Sequence, residues 1–89
     1  MTPWDLAVAA PATRTLDRLS EGVAAAVVEF MLGPLCEQPT VVGKPLQREL
    51  SGYCSARRGA YRIVYRLDYE RHQVLVVRIQ HRSDVYRPR

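Results

Sequence analysis

The chain has 89 residues, 47% of them hydrophobic and 25% charged, and a formal net charge of +4. This length and composition predict one globular domain (1–89) and argue against disorder. The charge is lopsided: residues 1–43 carry −3 and residues 44–89 carry +7, and twelve of the thirteen basic side chains are arginine.

In chain order, Trp4, Leu6 and Val8 alternate with Asp5, Ala7 and Ala9, which predicts a short first strand after Pro3. Ala7–Ala12 has the small residues of a cleavage site. No positive stretch precedes it, however, and Asp5 stands where a signal peptide is apolar, so a cytoplasmic protein is expected. Pro11 suits the first turn of a helix over Ala12–Leu19, with Leu16 and Leu19 at helical spacing. Ser20 can cap a second helix, with Glu21 at the positive end of its dipole. That helix runs to about Glu37 on a stripe of Val23, Val27, Phe30, Met31 and Leu35. Its apolar run, Val23–Val28, is far too short to span a membrane. Gly33-Pro34 should kink or end it, and Pro39 ends it in any case. Cys36 and Cys54 are too few and too far apart for a zinc motif or a redox pair, and Cys36 is expected in the core.

Thr40–Ser51 reads as a connector anchored by Leu46 and Leu50. Tyr53–Arg57 is a weak strand and Arg58-Gly59 a tight turn. Two strong strands follow, Tyr61–Leu67 and Val74–Ile79, around a polar turn at Asp68–Gln73. The order is β-α-α-β-β-β, an α+β fold with a helical hairpin packed on one face of an antiparallel sheet.

Arginines are threaded through the last hairpin, and alternation in a strand assigns each to one face. With the turn centred on Glu70, Tyr61, Ile63 and Tyr65 face Ile79, Val77 and Leu75 on the core side. Arg62, Val64, Arg66, Val74, Val76, Arg78, Gln80 and Arg82 then lie on the other, with Arg62 opposite Arg78. A slip by two residues sets Arg62 opposite Gln80 instead. Like charges across a sheet cost on the order of half a kcal/mol. An open face that keeps them suits a polyanion, RNA above all, because guanidinium grips phosphate bidentately and stacks on bases. The alternative is a solvated basic face neutralised by Asp68, Glu70 or Asp84.

The segments Gly43-Lys44-Pro45-Leu46, Gly52 to Tyr65 (GYCSARRGAYRIVY) and Val77 to Tyr86 (VRIQHRSDVY) resemble the RelE/ParE toxin family, most of all its actinobacterial RelE-type branch. The resemblance covers nearly the whole chain and implies the microbial RNase-like RelE fold. It also implies a metal-independent, ribosome-dependent mRNA endonuclease without cofactor. Its partners would be a RelB-like antitoxin and a ribosome with mRNA in the A site. In that chemistry the ribose 2′-hydroxyl attacks the adjacent phosphorus and leaves a 2′,3′-cyclic phosphate and a 5′-hydroxyl.

Carried over by residue, Arg62 and Arg82 would stabilise the transition state and Tyr86 would stack on or orient the nucleotide. Two lysines of the RelE-type second strand fall near Tyr53 and Ser55 here, with Arg57 and Arg58 the nearest cations. Arginine stays protonated and makes a poor base, so His81 is the candidate on chemical grounds. By alternation it points with Ile79, away from Arg82. Arg57, Arg58, Arg66, Arg78 and Lys44 are the expected RNA contacts, and His72 belongs to the turn. Two other functions fit the same resemblance. One is a ParE-like toxin that binds DNA gyrase, whose chains generally lack the Arg82-plus-Tyr86 ending. The other is a catalytically weak toxin acting mainly as an antitoxin-bound corepressor.

Overall fold

A computed structural model describes residues 2–85. Strand β1 (Asp5–Val8) leads into helices α1 (Ala10–Arg18) and α2 (Glu21–Phe30). Pro34 lacks the N–H that an α-helix needs, and the chain continues through a π-helical turn at Met31–Leu35. Helix α3 (Pro39–Val42) and strand β2 (Gly43–Pro45) follow, then a 3-10 turn at Arg48–Leu50. Strands β3 (Cys54–Arg58), β4 (Tyr61–Asp68) and β5 (Gln73–His81) precede the last described turn of helix, α4 (Arg82–Val85). No helix among the described residues is long and apolar enough to cross a membrane.

The five strands lie in the order β1-β5-β4-β3-β2. Ala12, Val27, Met31 and Leu35 from the helical segment pack with Ala56, Ile63, Tyr65, Val74, Val76 and Ile79 of the sheet. The α+β architecture, the helices on a sheet and the buried Cys36 agree with the sequence reading. Val23, in the first turn of α2, stays exposed, and the Ser20 hydroxyl makes no capping bond.

Four expectations are corrected. The sheet is mixed rather than antiparallel, because β1 pairs parallel with β5. A parallel pair needs a long crossover, and the chain from α1 to β4 supplies it. The connector contains strand β2, antiparallel to β3, and Leu50 is exposed instead of anchoring it.

The hairpin register also differs. Ile63 faces Ile79 and Val64 faces Arg78, but Tyr65 faces Val76, so Val77 is a bulge. A regular strand buries either Leu75, Val77 and Ile79 or Val74, Val76 and Arg78. The extra residue lets Val74, Val76 and Ile79 share the core while Arg78 stays outside.

Tyr65 ties the sheet to α3. It is fully buried, and its hydroxyl donates to the Pro39 carbonyl at 2.5 Å. Burial, and after it the neighbouring Cys54 thiol, push the phenol up from 10.0 to about 12. The neutral phenol is therefore favoured by the fold. The contribution of Tyr65 to stability should be flat in pH below 10 and fall by about 1.4 kcal/mol per unit from there to about 12. Denaturant titrations of Tyr65→Phe across that window should show a shallower decline, after an initial loss of about 1 kcal/mol for the missing hydrogen bond. An equal alkaline slope in both proteins would assign the decline to other groups.

Candidate functional site

The site begins at the β3–β4 turn. Gly59 adopts φ 62°, which glycine takes at no steric cost, so two residues suffice for the loop. Arg58 then stands opposite Tyr61, and Arg57 opposite Arg62. Arg62 meets Gln80 on its other side. The expected Arg62–Arg78 pair is therefore replaced by an Arg57–Arg62 pair, since the bulge and the shifted register move Arg78 opposite Val64. Partners across a sheet share a face, so Arg57, Arg62 and Gln80 make one row across it. Lys44, Ser55, Val64 and Arg78 make the next.

Arg82 reaches the same end of the sheet. It follows β5 directly, and its backbone N–H donates to the Ala60 carbonyl at 2.8 Å, which fastens the start of α4 to the β3–β4 turn. A cleft of about 430 Å³ opens here, lined by Val42, Lys44, Ser55, Ala56, Arg57, Gly59, Ala60, Tyr61, Arg62 and Arg82. Four of these are cations and none is a carboxylate. The Nε of Arg62 is sealed from water and has no hydrogen-bond partner among the described residues. A buried donor left so costs about 1–3 kcal/mol. The salt bridge between Arg71 and Asp68, at 3.8 Å, lies at the far turn of the hairpin, so Asp68 is not placed to neutralise the cleft.

The structure thus brings together Lys44, Arg57, Arg62 and Arg82 from the residues singled out in the sequence. Arg58 is exposed beside the turn and Arg78 is exposed on the sheet, both outside the cleft lining. Arg66 borders a separate hollow with Gly52, Asp68 and Glu70 at the other end of the hairpin. His81 faces Tyr61, with their rings edge-on at 5.2 Å, and its Nδ1 lies 2.7 Å from the Ser83 hydroxyl. It does not line the cleft. His72 stacks on Trp4 at 4.2 Å and its Nε2 donates to the Thr2 carbonyl at 3.0 Å, and it does not line the cleft. Tyr86 lies outside the described residues. Sequence reasoning missed Ser55 and Tyr61 as cleft residues. Pairing β3 with β4 across Gly59-Ala60 was the signal that finds them.

One end of the sheet of this small α+β domain thus carries a cleft with four cations among its described lining residues. The sequence matches, over residues 5–86, the family described as ParE toxin of type II toxin-antitoxin system, parDE. Toxin RelG of Mycobacterium tuberculosis is 48% identical over 85 residues, covering 96% of this chain and 98% of the relative. Toxin RelE of the same organism is 49% identical over 85 residues, 96% and 88% of the two chains. A chain in the crystal structure of a toxin–antitoxin complex from M. tuberculosis superimposes with a TM-score of 0.89 at 48% identity, covering 94% of this chain and 97% of that one. The isolated E. coli RelE toxin shares the fold, with a TM-score of 0.72 at 20% identity over 93% of this chain and 90% of its own. The chain belongs to the RelE/ParE family of type II toxin–antitoxin toxins, on its RelE-type side.

Proposed function

We propose that this toxin is a ribosome-dependent endonuclease that cuts mRNA in the A site without a metal ion. The observation that carries this reading is the cleft itself: Lys44, Arg57, Arg62 and Arg82 converge with no carboxylate among the described lining residues. A phosphate is the ligand such a site fits, because guanidinium and ammonium groups give its oxygens charge-assisted hydrogen bonds. Attack of the 2′-hydroxyl adds charge to the phosphorus centre. Fixed guanidinium groups bind that developing charge more strongly than the ground state, and this difference accelerates the step. In this reading Arg62 and Arg82 hold the scissile phosphate, Tyr86 stacks on the adjacent base, and Arg57 flanks the site. Arg58, Arg66 and Arg78 lie outside the cleft and serve the longer track of RNA and ribosome. His81, turned toward Tyr61 and Ser83, is the less suited of the proton-carrying candidates. The partner that silences the toxin is a RelB-like antitoxin covering the basic cleft, by analogy with the similar toxin–antitoxin complex.

Induced expression should arrest translation and leave new 5′-hydroxyl ends within translated codons, mapped on ribosome-bound mRNA. The ParE description of the matching family favours a second reading, binding to DNA gyrase. Stalled replication with unchanged mRNA ends would establish that reading and remove the nuclease.

A further inference from the structure

The cleavage chemistry needs a proton delivered to the leaving 5′-oxygen, and most of the cleft cannot deliver one. The guanidinium groups of Arg57, Arg62 and Arg82 stay protonated throughout any physiological cycle. The Ser55 hydroxyl is a very weak acid, and Tyr61 alternates to the opposite face of β4 from Arg62, edge-on to His81. Lys44 alone among the lining side chains combines a positive charge with a proton it can release. It is also the only lysine in the chain.

Its placement suits the task. Lys44 sits on the edge strand β2, directly opposite Ser55 on β3, and its side chain is exposed. Arg62 is two strands across and two residues along from it. Strand spacing and rise put roughly 12 Å between the two Cα atoms. Two long side chains reaching inward from that separation can hold one phosphodiester between them.

We infer that Lys44 is the general acid of the reaction, an inference that rests on the RNA-cleavage reading above. The 2′-oxygen bonds to phosphorus and loses its proton to solvent water. The P–O5′ bond breaks, its electron pair goes to O5′, and the Lys44 ammonium protonates that oxygen. The neutral amine then recovers a proton from solvent. Every proton is accounted for and no oxidant or metal takes part.

The test uses the full chain with ribosomes carrying an mRNA in the A site, cut in single turnover. One mRNA has the natural 5′-oxygen at the scissile phosphate. The other has a single bridging sulfur there, and a thiolate leaves without being protonated. Lys44→Ala should cut the oxygen mRNA roughly a hundredfold more slowly than the parent, the lower end for general acid catalysis. It should cut the sulfur mRNA at close to the parental rate. Lys44→Arg keeps the charge without a transferable proton and should stay as slow as Lys44→Ala on oxygen. Equal slowing on both mRNAs, recovery in Lys44→Arg, or a parental rate for Lys44→Ala on oxygen would each overturn the inference while leaving the nuclease standing. A parent that cuts neither mRNA removes the nuclease, and Lys44's role with it. Because Lys44 is exposed on an edge strand, both variants should melt like the parent, which circular dichroism checks.

Discussion

Arg62→Ala is expected to slow mRNA cleavage about a hundredfold without weakening the fold. One lost group that stabilises developing charge costs about 3 kcal/mol in the transition state. Arg62 is central to the cleft, paired with Arg57 on one side and bordering the stretch that Arg82 closes. Stability should move the other way. The substitution removes a like-charge pair worth about half a kcal/mol and a buried Nε with no partner among the described residues. Lost activity with an unchanged or raised melting temperature is the signature of a residue kept for its ligand. Arg82→Ala should lose a similar factor. Arg66→Ala should retain the cleavage step and weaken ribosome association, since Arg66 borders the hollow at the opposite end of the hairpin. Equal single-turnover losses from Arg66→Ala and Arg62→Ala would contradict this division.

The largest stability effect is expected at Gly43. A Cβ there would collide with the Tyr65 hydroxyl, approach the Tyr65 ring carbon Cζ to 2.8 Å and stand 3.0 Å from the Ser55 carbonyl. Tyr65 is fully buried and hydrogen-bonded to Pro39, so it has nowhere to retreat. Overpacking of this kind costs about 1–3 kcal/mol. For a domain of this size each kcal/mol moves the melting temperature by about 4–8 °C, so Gly43→Ala should melt well below the parent. The cause can be isolated by a double-mutant cycle. In a Tyr65→Phe background the hydroxyl is gone, and Gly43→Ala should cost less, though the ring and carbonyl contacts keep part of the penalty. Additive effects would mean that the clash is relieved elsewhere. Because β2 also carries Lys44, a damaged Gly43 should lower activity as well.

Much of this was readable from local pattern. Pro11, Ser20 and Gly33-Pro34 mark the helices, and the β-branched runs around Asp68–Gln73 mark the hairpin. What local pattern does not contain is pairing between distant segments. Trp4–Val8 alternates like any half-buried strand, and nothing in it specifies a parallel neighbour. Gly43–Pro45 is three residues with a glycine and a proline, a sequence that reads as a loop, and it is a strand only because β3 offers it an edge. The register failed for a different reason. Two regular registers compete in VLVVRI, and the bulge at Val77 satisfies both halves at once, which no period-two pattern expresses. The arginine face was legible as a face, while the particular like-charge pair depended on that register and on the two-residue Gly59-Ala60 loop. Arg62 and Arg82 were found through the resemblance. That Lys44 joins them required β2.

The parallel pairing of β1 with β5 has a consequence for how the protein comes into being. The first strand made at the N-terminal side must wait for the last, and the Thr2–His72 hydrogen bond spans 70 positions of chain. Contacts this distant slow folding, because the loop entropy is lost before the contact is gained. During synthesis β1 has no partner until β5 has been made. Arg82, directly beyond β5, reaches the cleft only when Ala60 can bind its backbone. The cleft is therefore completed only once β5 and Arg82 have been made, and a nascent chain stopped before residue 73 carries Lys44, Arg57 and Arg62 without Arg82 or the strand that positions it.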